Sequence, residues 1–253
     1  MFEFQNVSAF YGKQQILHNI TLSIPENQIT ALIGKNGCGK STLISCINEQ
    51  VSYTGELLLD GISFRNMPLR IRAQKVAVLP QFLSNVPSTV EELVQMGRNP
   101  YVEIGRKLTK TDLEFVEKAI SFMKIDALRH KKLNQLSGGE RQKAYLAMIL
   151  AQDTDIILLD EPTTYMDMAY EAEFMNLLLR LKEEYQKTIL IIMHDLTSAV
   201  ATADNIAILD KGELIYFGTT QKCVQKNFIE QIFQVKRFEC MDEGVKRVLY
   251  HTY

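Results

Sequence analysis

A chain of 253 residues is long enough for one large domain with an inserted subdomain, and short for a multidomain machine. With 46% hydrophobic and 23% charged residues, no low-complexity tract and no internal repeat, disorder is excluded. A net charge of −2 without a long Lys/Arg run leaves no electrostatic footprint for nucleic acid. The longest apolar run, Ala144 to Ala151, falls far below the roughly 20 residues that cross a bilayer. Met1 to Asn6 lacks the basic-then-apolar pattern of a secretory signal, so the chain is expected to stay where it is made. Cys38, Cys46, Cys223 and Cys240 are scattered without metal-ligand spacing and read as reduced thiols of a cytosol.

In chain order, Phe2 to Gly34 carries alternating segments such as Ile20 to Ile24 and then the apolar run Ile29 to Ile33, which predicts strands leading into a buried one. From Lys40 to Ile47 the spacing predicts a helix, with Ser41 and Thr42 in its first turn and Leu43, Ile44 and Ile47 as its apolar stripe. Glu56 to Gly61 reads as half of a hairpin and Lys75 to Leu79 as a short strand. Between Val90 and Gln152 the texture turns helical, as in Leu113, Val116, Ala119, Ile120 and Met123, marking an inserted subdomain. Ile156 to Asp160 and Thr188 to Met193 are continuously apolar and flank a helix from Ala169 to Glu184, which indicates a parallel sheet covered on both faces. The tail adds a hairpin at Lys211-Gly212 and a helix from Gln221 to Phe233. Cys240 to Tyr253 gives no functional reading.

Three segments carry chemistry. Gly34-Lys35-Asn36-Gly37-Cys38-Gly39-Lys40-Ser41 fits G-x-x-x-x-G-K-[ST], whose glycines let backbone N–H groups wrap a phosphate chain at a helix N-terminus. Lys40 would reach the terminal phosphates, and the Ser41 hydroxyl would ligate Mg²⁺. At the end of Ile156 to Asp160, Asp160 sits where parallel sheets bind ligands and can hold Mg²⁺ through water, while Glu161 can polarise an attacking water. Ser137, Gly138 and Gly139 precede a helix running to Ala151 and offer a second phosphate-binding surface: Ser137 as N-cap, the glycines removing side chains that would block approach. The bland reading of Ser137 and Glu140 is a capping box with no ligand.

Leu136 to Gln142 resembles the signature sequence of the ATP-binding-cassette (ABC) transporter ATPases, lying between a Walker A loop (Gly34 to Thr42) and a Walker B strand. The resemblance covers nearly the whole chain. It implies an α/β P-loop NTPase cassette with a mostly parallel core sheet, an antiparallel β subdomain and an inserted α-helical subdomain. It further implies one ABC ATPase domain over 1–253: a nucleotide-binding core at 1–81 and 153–235, a helical signature subdomain at 82–152 and an extension at 236–253. Gln81 matches the Q-loop glutamine that touches Mg²⁺, and Asp167 the D-loop aspartate, with Met166 where leucine is usual. His194 matches the switch histidine on the γ-phosphate and Tyr11 the aromatic that stacks on adenine. Glu161, His194, Lys40 and Gln81 would be catalytic, and Ser41, Gln81 and Asp160 would hold the metal. The family works as an ATP-sandwich dimer in which Ser137 and Gly139 of one copy close over nucleotide held by the other. The implied partners are therefore a second copy, integral permease subunits at the cytoplasmic face of the cell membrane and, indirectly, an extracytoplasmic solute-binding protein.

Val90 to Tyr101, with Gly37-Cys38-Gly39 and Glu161 to Tyr165, is similar to the ATPases of bacterial iron–siderophore, haem and vitamin B12 importers. The bland alternative makes Leu93, Val94 and Met96 one helix's core face and Arg98 a solvated charge. The rival class, a soluble ABC ATPase acting on nucleic acid or ribosomes, usually needs two cassettes, a long coiled coil or a basic surface, and none is present. Cys38 inside the loop leads to the expectation that bulky thiol reagents block ATPase activity.

Overall fold

The computed structural model describes residues 1–81, 83, 87–103, 105–163, 168–242 and 245–251. Two compact units form: residues 1–66 with 175–253, and residues 67–174.

The first unit opens with β1 (Phe2–Tyr11) and β2 (Gln14–Ile24), a long hairpin in which Gly12 at φ 59 makes the turn. After β3 (Ile29–Gly34) and α1 (Lys40–Ile47) come β4 (Ser52–Leu59) and the short β5 (Ile62–Ser63). The antiparallel order β2-β1-β4-β5 buries Phe2 and Phe4 beside Phe64, ring edges to faces at 5.4 and 5.6 Å.

The second unit contains α2 (Leu69–Lys75), β6 (Val76–Leu79), α3 (Val90–Met96), α4 (Lys110–Phe122), α5 (Gly138–Gln152) and β7 (Ile156–Leu159). Strands β6 and β7 run parallel in the register Leu79↔Leu159. Thr89, Thr109 and Ser137 each cap their helix in a reciprocal box with the acidic residue three positions on. Helix α6 (Met168–Tyr185) leads back into the first unit.

There β8 (Thr188–Ile192), α7 (Leu196–Thr202), β9 (Asn205–Asp210) and β10 (Glu213–Thr219) follow. β3 lies parallel to both β8 and β9, and β10 closes antiparallel on β9. Every residue of β3 and β8 is buried, which is why both segments read as unbroken apolar runs. Each fully buried Ile or Leu there contributes roughly 1.5–3 kcal/mol.

The expected helix from Gln221 to Phe233 is two helices, α8 (Thr220–Gln225) and α9 (Phe228–Phe233). Asn227 breaks it at φ 57, a left-handed conformation that asparagine tolerates better than most residues. The tail is an antiparallel hairpin of β11 (Lys236–Asp242) and β12 (Val245–His251).

Arg98 is not a solvated charge. It is 4% exposed, donates from Nε to Asp112 Oδ1 at 3.0 Å and from Nη1 to the Ala151 carbonyl at 2.7 Å, and lies over the rings of Tyr101 and Phe115. It therefore ties the end of α3 to the start of α4 and the end of α5. Gly97 beside it has no room for a side chain, because a Cβ would strike the Met148 carbonyl. In Val90 to Tyr101, Gly97 and Arg98 hold the helical unit together from inside.

Candidate nucleotide-binding site

Within the first unit the phosphate loop leaves β3 at Gly34 and enters α1 at Lys40. Gly37 at φ 76 and Gly39 at φ 108 adopt conformations that L side chains rarely reach. A Cβ on Gly39 would also come 2.5 Å from Leu17 Cδ2. Lys40 is buried and its Nζ donates to the carbonyls of Gly34 at 3.0 Å and Lys35 at 3.3 Å, so its charge sits inside the bowl of the loop. A turn the sequence showed only as a hairpin supports this bowl: Gly212 N–H donates to the Cys38 carbonyl at 3.0 Å and His18 N–H to the Gly212 carbonyl at 2.8 Å. Lys-Gly at a two-residue turn, both at positive φ, was the available signal.

The loop suits a polyphosphate. Helix α1 starts on Gly39 with no side-chain cap and no acidic residue in its first turn, whereas α3, α4, α5 and α7 all start on a side-chain cap. A helix that starts this way directs the positive end of its dipole at the loop, which favours an anion there. No atom lies within 4 Å of where a Gly37 Cβ would be, leaving the loop crest open. Ser41 and Thr42 follow in the first turn, and Ser41 itself accepts Ser45 Oγ on its carbonyl at 2.8 Å.

Cys38 is 5% exposed, and burial pushes its thiol up although the neighbouring Lys40 charge pulls the other way. A buried, protonated thiol is a poor nucleophile, which corrects the expectation that bulky reagents act through it.

His194 and Tyr11 end exposed on this unit. β3 and β8 pair in the register Leu32↔Ile192, so Gly34 and His194, each two residues farther on, leave the same carboxyl edge of the sheet. Ligands of parallel sheets bind at such edges. Asp195 then caps α7, accepting the Ser198 N–H at 2.6 Å. Tyr11 is 53% exposed at the hairpin tip, with a ring face available for stacking.

Within the second unit Asp160 and Glu161 end β7. Asp160 is buried and its N–H donates to the Leu79 carbonyl at 2.9 Å. Glu161 has φ 50, uncommon for a residue with a long side chain, and Gln81 Nε2 donates to its Oε2. With its amide nitrogen so engaged, Gln81 keeps its carbonyl oxygen for another partner. The Asp160 carboxylate and the Gln81 amide oxygen are the kind of hard oxygen donors Mg²⁺ prefers.

The signature segment begins α5. Ser137 Oγ and N–H both meet Glu140 Oε2, at 2.9 and 2.8 Å, so the capping box exists as the bland reading held. These Ser137 hydrogen bonds hold the Glu140 carboxyl below the usual carboxylate range. Gly139 stands apart from this local reading. A Cβ there would meet nothing closer than Tyr170 at 3.7 Å, an ordinary contact, so no neighbour within the described chain demands glycine. Asp167, with Thr164, Tyr165 and Met166, lies outside the described residues.

Comparison with known proteins agrees with these features. The ABC transporter family model matches residues 17–164. The petrobactin import ATP-binding protein FpuD of Bacillus anthracis is 38% identical over 241 residues, 94% of this chain and 87% of the relative. The iron(3+)-hydroxamate import ATP-binding protein FhuC of Bacillus subtilis is 36% identical over 246 residues, 96% and 91% of the two chains. The dimeric structure of MJ0796, a bacterial ABC transporter cassette, superposes with a TM-score of 0.76 at 28% identity, covering 87% of this chain and 99% of that one. The chain is thus an ATP- and Mg²⁺-dependent ATPase and belongs to the ABC transporter family.

Proposed function

We propose that this ATPase powers an importer of iron chelates, of the ferric siderophore type or a related large metal chelate. The observation that carries this reading is the 36–38% identity, over nearly the full chain, to ATP-binding proteins of petrobactin and iron–hydroxamate import. Nothing in the chain need read the chelate. Its task is to turn ATP hydrolysis into movement of a permease.

In this reading the chain is one ABC ATPase domain, with a core at 1–81 and 153–235, a signature subdomain at 82–152 and an extension at 236–253. Residues Gly34 to Thr42 hold the triphosphate on backbone N–H groups, Lys40 carries charge to the terminal phosphates, and Tyr11 stacks on adenine. Ser41, Gln81 and Asp160 hold Mg²⁺, which neutralises phosphate charge. Glu161 orients the attacking water, His194 contacts the γ-phosphate, and Asp167 belongs to the same assignment from sequence. Ser137, Gly138 and Gly139 close over the nucleotide of a second copy, so ATP joins two chains and hydrolysis releases them. The remaining partners are integral permease subunits, reached at the cytoplasmic face of the membrane, and through them a solute-binding protein outside. Among the described residues no helix is long and apolar enough to cross a membrane.

The test is co-purification of the tagged chain from gently solubilised membranes, followed by reconstitution of what accompanies it. A polytopic permease whose proteoliposomes take up a ferric siderophore supports the reading. Recovery with DNA or ribosomes, or a permease that moves only unrelated solutes, contradicts it.

A further inference from the structure

We propose that Thr197 is a positioning residue for hydrolysis, and that the C-terminal hairpin β11–β12 acts through it as a strap on α7, the helix that carries the chain away from His194. The inference rests on the assignment of His194 to the γ-phosphate, and it gives a task to the tail, which contributes no residue to that assignment.

Helix α7 has seven residues, too few to hold its own direction in water, so tertiary contacts set it. It packs against β3 of the core sheet and against β12 of the hairpin. Ala199 and Thr202 are its buried residues. The His194 backbone is fixed on one side by the end of β8, where Met193 N–H donates to the Leu32 carbonyl at 3.2 Å, and on the other by α7, which starts two residues later. Thr197, three residues after His194, accepts the Tyr250 N–H of β12 on its Oγ1 at 3.1 Å, and the bond is partly buried. The strap is rooted at the same rung of the hairpin. Tyr250 pairs across the strands with Arg237, and Arg237 donates from Nη1 to the Val224 carbonyl of α8 at 2.6 Å and from Nε pairs with Glu230 of α9 at 3.3 Å. One cross-strand pair thus holds α8 and α9 through one residue and α7 through the other. A small displacement of a group that acts on the transition state lowers turnover far more than ground-state binding, so releasing this side of His194 slows hydrolysis.

The test uses the full chain with Thr197→Val, which keeps the side-chain shape and removes the acceptor, and Thr197→Ser, which restores it. Steady-state ATPase kinetics are read together with the ring signals of isotope-labelled histidine in Mg-ADP, the His194 signal being identified by its loss in His194→Ala. Thr197→Val should lower kcat at least about threefold with KM for ATP kept within about twofold, and should shift the His194 signal while those of His18 and His130 stay in place. Thr197→Ser should return both readouts to the parent values. Arg237→Gln, which loosens the root of the strap without touching α7, should shift the His194 signal in the same direction. A lowered melting temperature with the His194 signal and kcat unchanged shows a role in stability alone and overturns the proposal, as does a shifted signal with parent kcat. Parent turnover by His194→Ala instead removes the assignment of His194 on which the proposal rests, and the proposal falls with it.

Discussion

Gln81 and Glu161 each stand two residues beyond the parallel pair Leu79↔Leu159, and the amide of one donates to the carboxylate of the other. The glutamine that follows β6 thus grips the carboxylate assigned to water. Gln81→Ala should lower kcat about tenfold while leaving KM for ATP within about threefold, because it removes a group that positions the carboxylate and leaves the phosphate loop intact. Steady-state kinetics check this. A change confined to KM would place Gln81 in ATP binding alone.

Gly139→Ala separates folding from function. Glycine inside a helix is less favourable than alanine by about 1 kcal/mol, and the new methyl meets only Tyr170 at ordinary distance. The variant should melt at or above the parent temperature yet lose most ATP-dependent dimerisation and hydrolysis if, as proposed, the second copy's nucleotide packs against Gly139. Calorimetry with size exclusion in ATP reads both effects; full activity would remove Gly139 from the nucleotide surface.

Arg98→Met should destabilise the protein by about 3–5 kcal/mol, leaving Asp112 buried without its guanidinium. Burial raises the Asp112 carboxyl, but hydrogen bonds from Thr109 and Arg98 outweigh it and hold the group below the usual range. A carboxylate depressed in the folded state adds stability above its unfolded value near about 4 and loses that contribution as pH falls through the folded value. The parent should therefore lose stability below about pH 4 more steeply than Asp112→Asn, as followed by urea unfolding across pH.

Cysteine reactivity should split by burial. Cys240 is exposed and should take up a maleimide rapidly in the native protein. Cys38, Cys46 and Cys223 are buried, and burial pushes Cys46 and Cys223 up to about 12, so these three should react only on unfolding. Mass spectrometry of time-limited labelling counts the modified sites, and fast loss of ATPase activity on labelling would contradict the burial of Cys38.

Local pattern made much of this fold readable. Helix α1 runs from Lys40 to Ile47 as its stripe and preceding glycines implied, and β3 and β8 end within a residue of their apolar runs. The break in the tail helix was hidden because Val224, Phe228, Ile229 and Ile232 keep helical spacing straight across Asn227. The bland alternative that left Arg98 solvated fails, and spacing could not rule it out because the partner Asp112 lies 14 residues away at the start of α4. The Thr109-x-x-Asp112 capping box was the local clue. In the site, the phosphate loop is contiguous and legible. The contact between Gln81 and Glu161 spans 80 residues and arises from strand register, which spacing along the chain does not reveal.

The most direct test of the account is Glu161→Gln, an isosteric change that removes the carboxylate and leaves Gln81 an oxygen to bond. ATP hydrolysis by the purified variant should fall by at least about 10²-fold while ATP affinity is kept and the ATP-bound dimer accumulates. Hydrolysis at the parent rate would show that the water is activated elsewhere, and the catalytic assignment at the end of β7 would be wrong.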